Sequence, residues 1–286
     1  MLRNYLLVGY RALARDPLFA IINLIGLSIG IAGCLIILLF IRHQLSFDSW
    51  IPQAERIYQV QREYTTGPQS GSRHGQNPYV AATALPSQLP EVEAFTDIVW
   101  SEGVVRKDGA PLGLPYSFAT DASFFKVLPL PLVQGNPTTA LAATGSVVLT
   151  EESAMSIFGR TDVLGRTVTR IGRGGGKDFR VTGVLRDIPD NSHLRIGALY
   201  RSSPAEERRA EHYESWTEIS GWVYALLRPS SDAAAIEARL PQVLQRVIPK
   251  NQRDLSAADG LGYAIKLRNI RDINTSDIEM GTLRAG

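Results

Sequence analysis

The chain has 286 residues, with 30 Lys and Arg against 28 Asp and Glu and a single cysteine. Its first 17 residues hold Arg3, Arg11, Arg15 and Asp16, so the remainder carries 27 basic and 27 acidic side chains. A body without net charge gives no support for nucleic-acid binding, which needs a basic face to neutralise phosphates. The lone Cys34 leaves everything beyond it without a disulfide, a thiolate metal site or a cysteine nucleophile.

Leu18 to Ile41, LFAIINLIGLSIGIAGCLIILLFI, is a run of 24 residues without a charge. A helix of that length covers about 36 Å, enough to cross a hydrocarbon core of about 30 Å. Three arginines stand ahead of it, whereas Arg42, His43 and Asp48 follow and the next basic residue is Arg56. That bias predicts a cytoplasmic tail over 1–17, a transmembrane helix over 18–41 and an exported remainder. Leu2, Tyr5, Leu6 and Leu13 share a helical face opposite the arginines, the pattern of an interfacial helix; an unstructured basic flank fits the spacing equally.

The run exceeds the apolar core of about 7 to 15 residues found in cleavable signal peptides. Cleavage at Ile31-Ala32-Gly33-Cys34, which has the shape of a lipoprotein box, would leave the apolar stub LIILLFI as the new start. Gly26 and Gly30, spaced as in the small-residue motif of packed membrane helices, permit close approach of another helix.

Beyond the membrane segment, Ser46 to Pro52 reads as the exit, with Phe47 and Trp50 placed for the headgroup boundary. Ile57 to Tyr64 alternates as a half-buried strand, followed by a polar loop from Thr65 to Asn77. Tyr79 to Leu89 reads as a helix that Pro86 kinks or shortens, and Phe95 to Arg106 as a strand. Ser146 to Leu149 is a short strand. Thr150 then caps a helix opening on Glu151 and Glu152, carrying Ala154, Met155 and Phe158, and stopping at Gly159.

Arg166 to Ile171 and Phe179 to Leu185 are two strands joined by the loop Gly172 to Lys177. Ile219 to Leu227 is a strand. Ile236, Leu240, Val243, Leu244, Val247 and Ile248 mark one helix face, with Pro241 restarting the helix, and Tyr263 to Leu267 closes as a strand. This mixture without a βαβ rhythm predicts an α+β fold.

No catalytic, cofactor or metal site emerges. The glycine-rich Ile171 to Asp178 lacks the first glycine and the final Ser or Thr of a phosphate loop, so a hairpin turn explains it better. The histidines His43, His74, His193 and His212 have no metal-ligand spacing. Gly67-Pro-Gln-Ser70-Gly71 puts its serine one place too late for a nucleophile elbow. Ser70, Ser72 and His74 are close in sequence, as flexible polar loops produce by chance, and form the one weak hydrolase candidate. Glu151-Glu152 and Glu206-Glu207 sit where helix starts or solvated faces put them.

Taken together, the segments resemble MacB/FtsX-like ABC-transporter permeases. The opening matches that family's basic tail and glycine-containing membrane helix at Asn23, Gly26 and Gly30. Its Ser-Tyr/Phe-Asp element is matched at Ser46-Phe47-Asp48, and its Arg-Ile-Tyr strand at Arg56-Ile57-Tyr58. Further on, Ser146 to Arg166 is similar to its strand, helix, Phe-Gly and Leu-Gly sequence. Asp178 to His193 is similar to its Val-x-Gly-Val strand followed by Asp-x-Pro-x-x-Ser-His. The likeness extends more faintly through Ile270 to Ile278.

The resemblance implies a transmembrane helix followed by a two-lobed periplasmic domain. Residues 42–90 and 200–286 would form a porter-like α/β lobe, and 91–199 an inserted mostly β lobe. It implies a non-catalytic permease subunit of the bacterial inner membrane, without cofactors, serving a separate cytoplasmic ABC ATPase. The implied partners are a second permease subunit in a dimer, a periplasmic adaptor and membrane lipid, with no nucleic acid. Family members have three further membrane helices, and this sequence stops at Gly286, about where the second would begin. A stand-alone bitopic envelope protein, binding or regulatory, is therefore the alternative expectation.

Overall fold

The structure, a computed structural model, describes residues 15, 17–68, 70–78, 80–101, 103–172, 175–201, 215–216, 219, 221–252, 262–275 and 278–279. His212 and Glu206-Glu207 lie outside them. The chain divides into two compact units, residues 1–46 and 47–286.

The first unit contains a 29-residue helix, Pro17–Leu45, none of whose side chains is buried. Leucine and isoleucine dominate a sequence with no apolar stripe, so every face is apolar, as a lipid-exposed helix demands. It outlasts the uncharged run by one turn, and Arg42 and His43 in that turn complement the negative end of the helix dipole. Ser46 closes it, its backbone N–H and its hydroxyl both donating to the His43 carbonyl. A methyl group added at Gly26, Gly30 or Gly33 would meet nothing within 4 Å.

The second unit is built on a sheet of fifteen strands among the described residues. They are β1 Ile57–Tyr64, β2 Arg73–His74, β3 Gln76–Asn77, β4 Val92–Trp100, β5 Val104–Lys107, β6 Ala110–Gly113, β7 Ser117–Thr120 and β8 Leu132–Gly135. The rest are β9 Ser146–Thr150, β10 Thr167–Gly172, β11 Gly175–Leu185, β12 Ala198–Arg201, β13 Gly221–Leu227, β14 Tyr263–Asn269 and β15 Ile278–Glu279. In space they run β15-β2-β1-β13-β4-β7-β12-β9-β11-β10-β5-β6, with β14 on β1, β3 on β13 and β8 on β11. Parallel pairs, β9 with β11 and β7 with β12, sit among antiparallel ones, so the fold is α+β.

Three apolar clusters share this sheet. One lies between it and the helices Val80–Ala84 and Ala233–Val247, through Val60, Ala81, Val223, Ala225, Ile236, Leu240 and Leu244. A second lies under helix Glu151–Phe158, around Val147, Ala154, Val168 and Phe179. The third occupies the opposite face of β13 and gathers Ile51, Ile57, Ile98, Phe118, Phe124, Trp222, Tyr224 and Ile270. Strand side chains alternate between faces, so a strand between two clusters is apolar at every position. That is why Gly221–Leu227, GWVYALL, is buried throughout.

Several expectations need correction. Strand β1 is not half-buried: Gln59, Gln61 and Arg62 are buried along with Val60. The polar loop after it contains β2 and β3. The strand expected from Phe95 to Arg106 is two, β4 and β5, with a break after Trp100. The turn expected over Gly172 to Lys177 is tighter, because Gly172 already pairs with Gly175 and Lys177 with Arg170.

Pro86 shortens the first helix as expected, leaving Val80–Ala84 and a 3-10 turn Pro86–Gln88. Pro241, in contrast, sits inside the continuous helix Ala233–Val247 and restarts nothing. Its missing N–H loses one helix bond, while Ile236, Leu240, Val243 and Leu244 dock on both sides of it.

At the helix Glu151–Phe158, the Thr150 hydroxyl accepts from Ser153 N at 3.2 Å and Gly159 ends the helix at φ 68. Only glycine adopts that left-handed backbone without steric cost.

Candidate functional site

Phe47 is the first residue of the second unit, and it is 4% exposed. Asp48 and Ile51 are buried with it, and Trp50 packs on the third cluster. The headgroup-boundary reading is therefore overturned for Phe47, whose side chain serves the core of the domain, while Trp50 is half-buried against it. An aromatic after an apolar run satisfies either role by composition, and only the fold distinguishes them.

Asp48 is held in a left-handed backbone, φ 54, that lets its carboxylate turn inward. There it meets a segment 145 positions away. Ser192 Oγ donates to Asp48 Oδ1 at 2.6 Å, and His193 N lies 3.1 Å from Oδ1. His193 Nδ1 is 2.8 Å from Oδ2, and Asp48 N donates to the Asn191 carbonyl at 3.0 Å.

The chain of bonds continues inward. His193 Nε2 is 3.0 Å from Tyr224 Oη, Gln59 Nε2 donates to Tyr224 Oη at 3.1 Å, and Gln61 Nε2 donates to Gln59 Oε1 at 2.9 Å. A carboxylate only accepts, so Nδ1 carries the ring proton and Nε2 accepts from the tyrosine. Every donor from Gln61 to His193 then points toward Asp48, an order that polarises each successive bond. Burial holds the Tyr224 phenol above its ordinary range, which keeps it a donor.

Two further groups fix the same stretch. Arg56 Nε donates to the Leu227 carbonyl at 2.8 Å, and Nη2 pairs with Glu93 Oε2 at 2.7 Å, tying the turn Ala54–Arg56 to the ends of β13 and β4. Asn269 Nδ2 donates to the carbonyls of Ala54 at 2.9 Å and Ile57 at 3.2 Å. Residues 47–57 are thus bonded to four remote parts of the chain, at Glu93, 191–193, Leu227 and Asn269.

Ser192, His193 and Asp48 are the residue types of a hydrolytic triad, but the geometry excludes that use. The serine hydroxyl donates to the carboxylate rather than to the ring, the ring's Nε2 faces Tyr224, and all four side chains are 0% exposed. No substrate atom reaches them. What the arrangement does is hold.

The weak hydrolase candidate is partly assembled. Ser72 Oγ and His74 Nε2 lie 3.3 Å apart, and the His74 ring packs edge-on against Tyr64. Ser70 is exposed and its backbone belongs to the turn at Gly67. The glycine-rich Ile171 to Asp178 forms part of an antiparallel β10–β11 hairpin, not the strand-to-helix loop that cradles phosphate. Among the described residues no group of three or more His, Cys, Asp or Glu is arranged to hold a metal. Sequence reasoning quoted Ser-Phe-Asp and Ser-His as separate motifs and missed that they bond to each other. Nothing local in either signals the other.

A domain from a Porphyromonas gingivalis protein assigned as a permease superposes with TM-score 0.62 at 20% identity, covering 77% of this chain and 91% of that one. The periplasmic region of MacB from Actinobacillus actinomycetemcomitans gives TM-score 0.48 at 17% identity, over 76% of this chain and 91% of that one. The extracellular domain of the noncanonic ABC-type transporter YknZ from Gram-positive bacteria gives 0.42 at 12% identity, over 74% and 100%. No curated protein sequence matches significantly. The family model of the MacB-like periplasmic core domain matches residues 20–243, and the chain, an apolar helix followed by a sheet-rich domain, belongs to that family.

Proposed function

We propose that this chain is the membrane-anchored periplasmic core portion of an ABC-transporter permease subunit, coupling a separate cytoplasmic ATPase to export or mechanical work in the periplasm. It has no catalytic role of its own in this reading. The N-terminus lies in the cytoplasm and the helix crosses the bacterial inner membrane, in keeping with the arginines that precede it. A second permease subunit, a periplasmic adaptor and lipid complete the assembly.

The observation that carries the coupling is the fixing of residues 47–57. Asp48 follows the helix by three positions and is bonded to Ser192 and His193 inside the domain. A displacement delivered along the chain at Phe47 is passed by side chains to the middle of the sheet rather than absorbed in a slack linker.

The two-lobe division belongs to the same proposal, with 42–90 and 200–286 as one lobe and 91–199 as the other. The cluster around Val60, Val223 and Leu240 draws mainly on the outer segments, joined by Val92 and Phe95, and that around Val147, Val168 and Phe179 on the inner one.

The test is co-isolation. The tagged chain, extracted in mild detergent from the membranes of its own cell, is expected to bring an ABC ATPase with it, and the DNA after codon 286 or the adjacent gene to encode further membrane segments. Recovery of the chain without an ATPase, from a locus with neither feature, would favour the bitopic envelope protein instead.

A further inference from the structure

Strand β4 is joined to its two neighbours unequally. With β13 it pairs along its whole length, from Val92 opposite Leu227 to Val99 opposite Gly221. With β7 it pairs only at Ile98–Thr120, Val99–Ala119 and Trp100–Phe118. The next positions along that short ladder are Asp97 and Asp121, so the seam ends on two acids.

They are built into the seam. Asp121 Oδ2 accepts from Asp97 N at 3.3 Å, and its Oδ1 accepts from Thr96 Oγ1 at 3.2 Å and Ser123 N at 2.6 Å. The Thr120 hydroxyl donates to the Asp97 carbonyl at 2.6 Å. Asp97 is 6% exposed. Arg201 at the end of β12 is the cation near it; the β13 residue opposite is the apolar Val223. On helix Phe124–Val127 the charged Lys126 pairs with Glu93, which Arg56 also holds. An acid buried beside a second acid, at the next cross-strand position of one ladder, ionises only at a cost.

We propose that the buried Asp97, placed against Asp121 at the end of the short ladder, keeps the β4–β7 seam closed while its carboxyl holds a proton, and that loss of that proton loosens the seam as pH rises. Burial, followed by the charge of Asp121, pushes the Asp97 carboxyl well above its ordinary value of 3.8. In an opened seam Asp97 meets water and ionises at its ordinary value. Opening therefore releases one proton and becomes easier with rising pH, from just above 3.8 up to the raised value. Below that window the closed seam carries no penalty.

Hydrogen exchange on the full chain in lipid nanodiscs tests this, with segments 96–101 and 117–121 read against β1 and rates corrected for the intrinsic pH dependence of exchange. Above pH 3.8 the opening constant of the seam is expected to rise with pH, by at most about tenfold per unit, the slope of one proton, and to level off at the raised Asp97 value. β1 should show no such slope, and Asp97→Asn should abolish it at the seam. If Asp97→Asn fails to fold, Asp121→Asn serves, because removing the neighbouring charge lowers the Asp97 value and must end the rise at a lower pH. A seam whose protection does not change with pH, or a folded variant whose pH profile matches the parent's, would overturn the proposal.

Discussion

Asp48 and His193 stand 145 positions apart and meet at 2.8 Å between Oδ2 and Nδ1, with neither side chain exposed to water. The carboxylate also takes bonds from the Ser192 hydroxyl and the His193 backbone. It is the acceptor on which the whole buried chain ends.

Asp48→Ala leaves three donors facing an apolar gap. Breaking a buried charged network at one partner costs about 3–5 kcal/mol, a fall in melting temperature of about 6–20 °C for a domain of this size. Tyr224→Phe removes a hydroxyl shared by two neutral bonds and should cost less, about 1–3 kcal/mol. Thermal melts of both variants check the order; a smaller loss for Asp48→Ala than for Tyr224→Phe would show that the carboxylate is not the anchor.

Gly221 starts β13 where a Cβ would lie 2.2 Å from the Ile98 carbonyl oxygen, a backbone atom that cannot step aside. Gly221→Ala must push β13 from β4 and is expected to destabilise by about 1–3 kcal/mol, the usual range for overpacking. Gly113→Ala, in open space, is the control and should melt near the parent.

A charge in the apolar helix is costly for a different reason. Gly30→Arg places a guanidinium at the middle of the span, at about 3 kcal/mol on insertion scales. The inserted fraction should drop in a translocon insertion assay. Unchanged integration would place the span elsewhere.

Tyr263 donates to the Trp216 carbonyl at 3.2 Å, and burial pushes its phenol up to about 12. In the unfolded chain it ionises at the ordinary value of 10.0, so folding loses stability as pH rises from there to about 12. Tyr263→Phe should flatten that alkaline decline in urea titrations, whereas a variant as pH-sensitive as the parent would assign the decline to other groups.

Local chemistry made much of this fold legible. The capped helix Glu151–Phe158 and strand β1 stand where Thr150, Gly159 and the alternation from Ile57 to Tyr64 put them. The uncharged run from Leu18 to Ile41 needed no context, because its length alone demands lipid or a large core. Strands β6, β7, β8 and β12 escaped because each is four residues long, too short for a period to show.

The buried chain escaped for another reason. Gln59 and Gln61 look like solvent-facing residues of an alternating strand, and only packing on both faces of β1 buries them. Family resemblance flagged Ser46-Phe47-Asp48 and Ser192-His193 but said nothing of their contact. Pairings over such sequence separations leave no trace in the periodicity of either segment.

The chain is gripped as soon as it enters the domain. Hydrogen exchange over residues 47–53, on the full chain in nanodiscs, measures that grip directly. Protection comparable to β1 is predicted, lost in His193→Ala while β9 and β11 keep theirs. Exchange at the rate of an unprotected linker in the parent protein would contradict it.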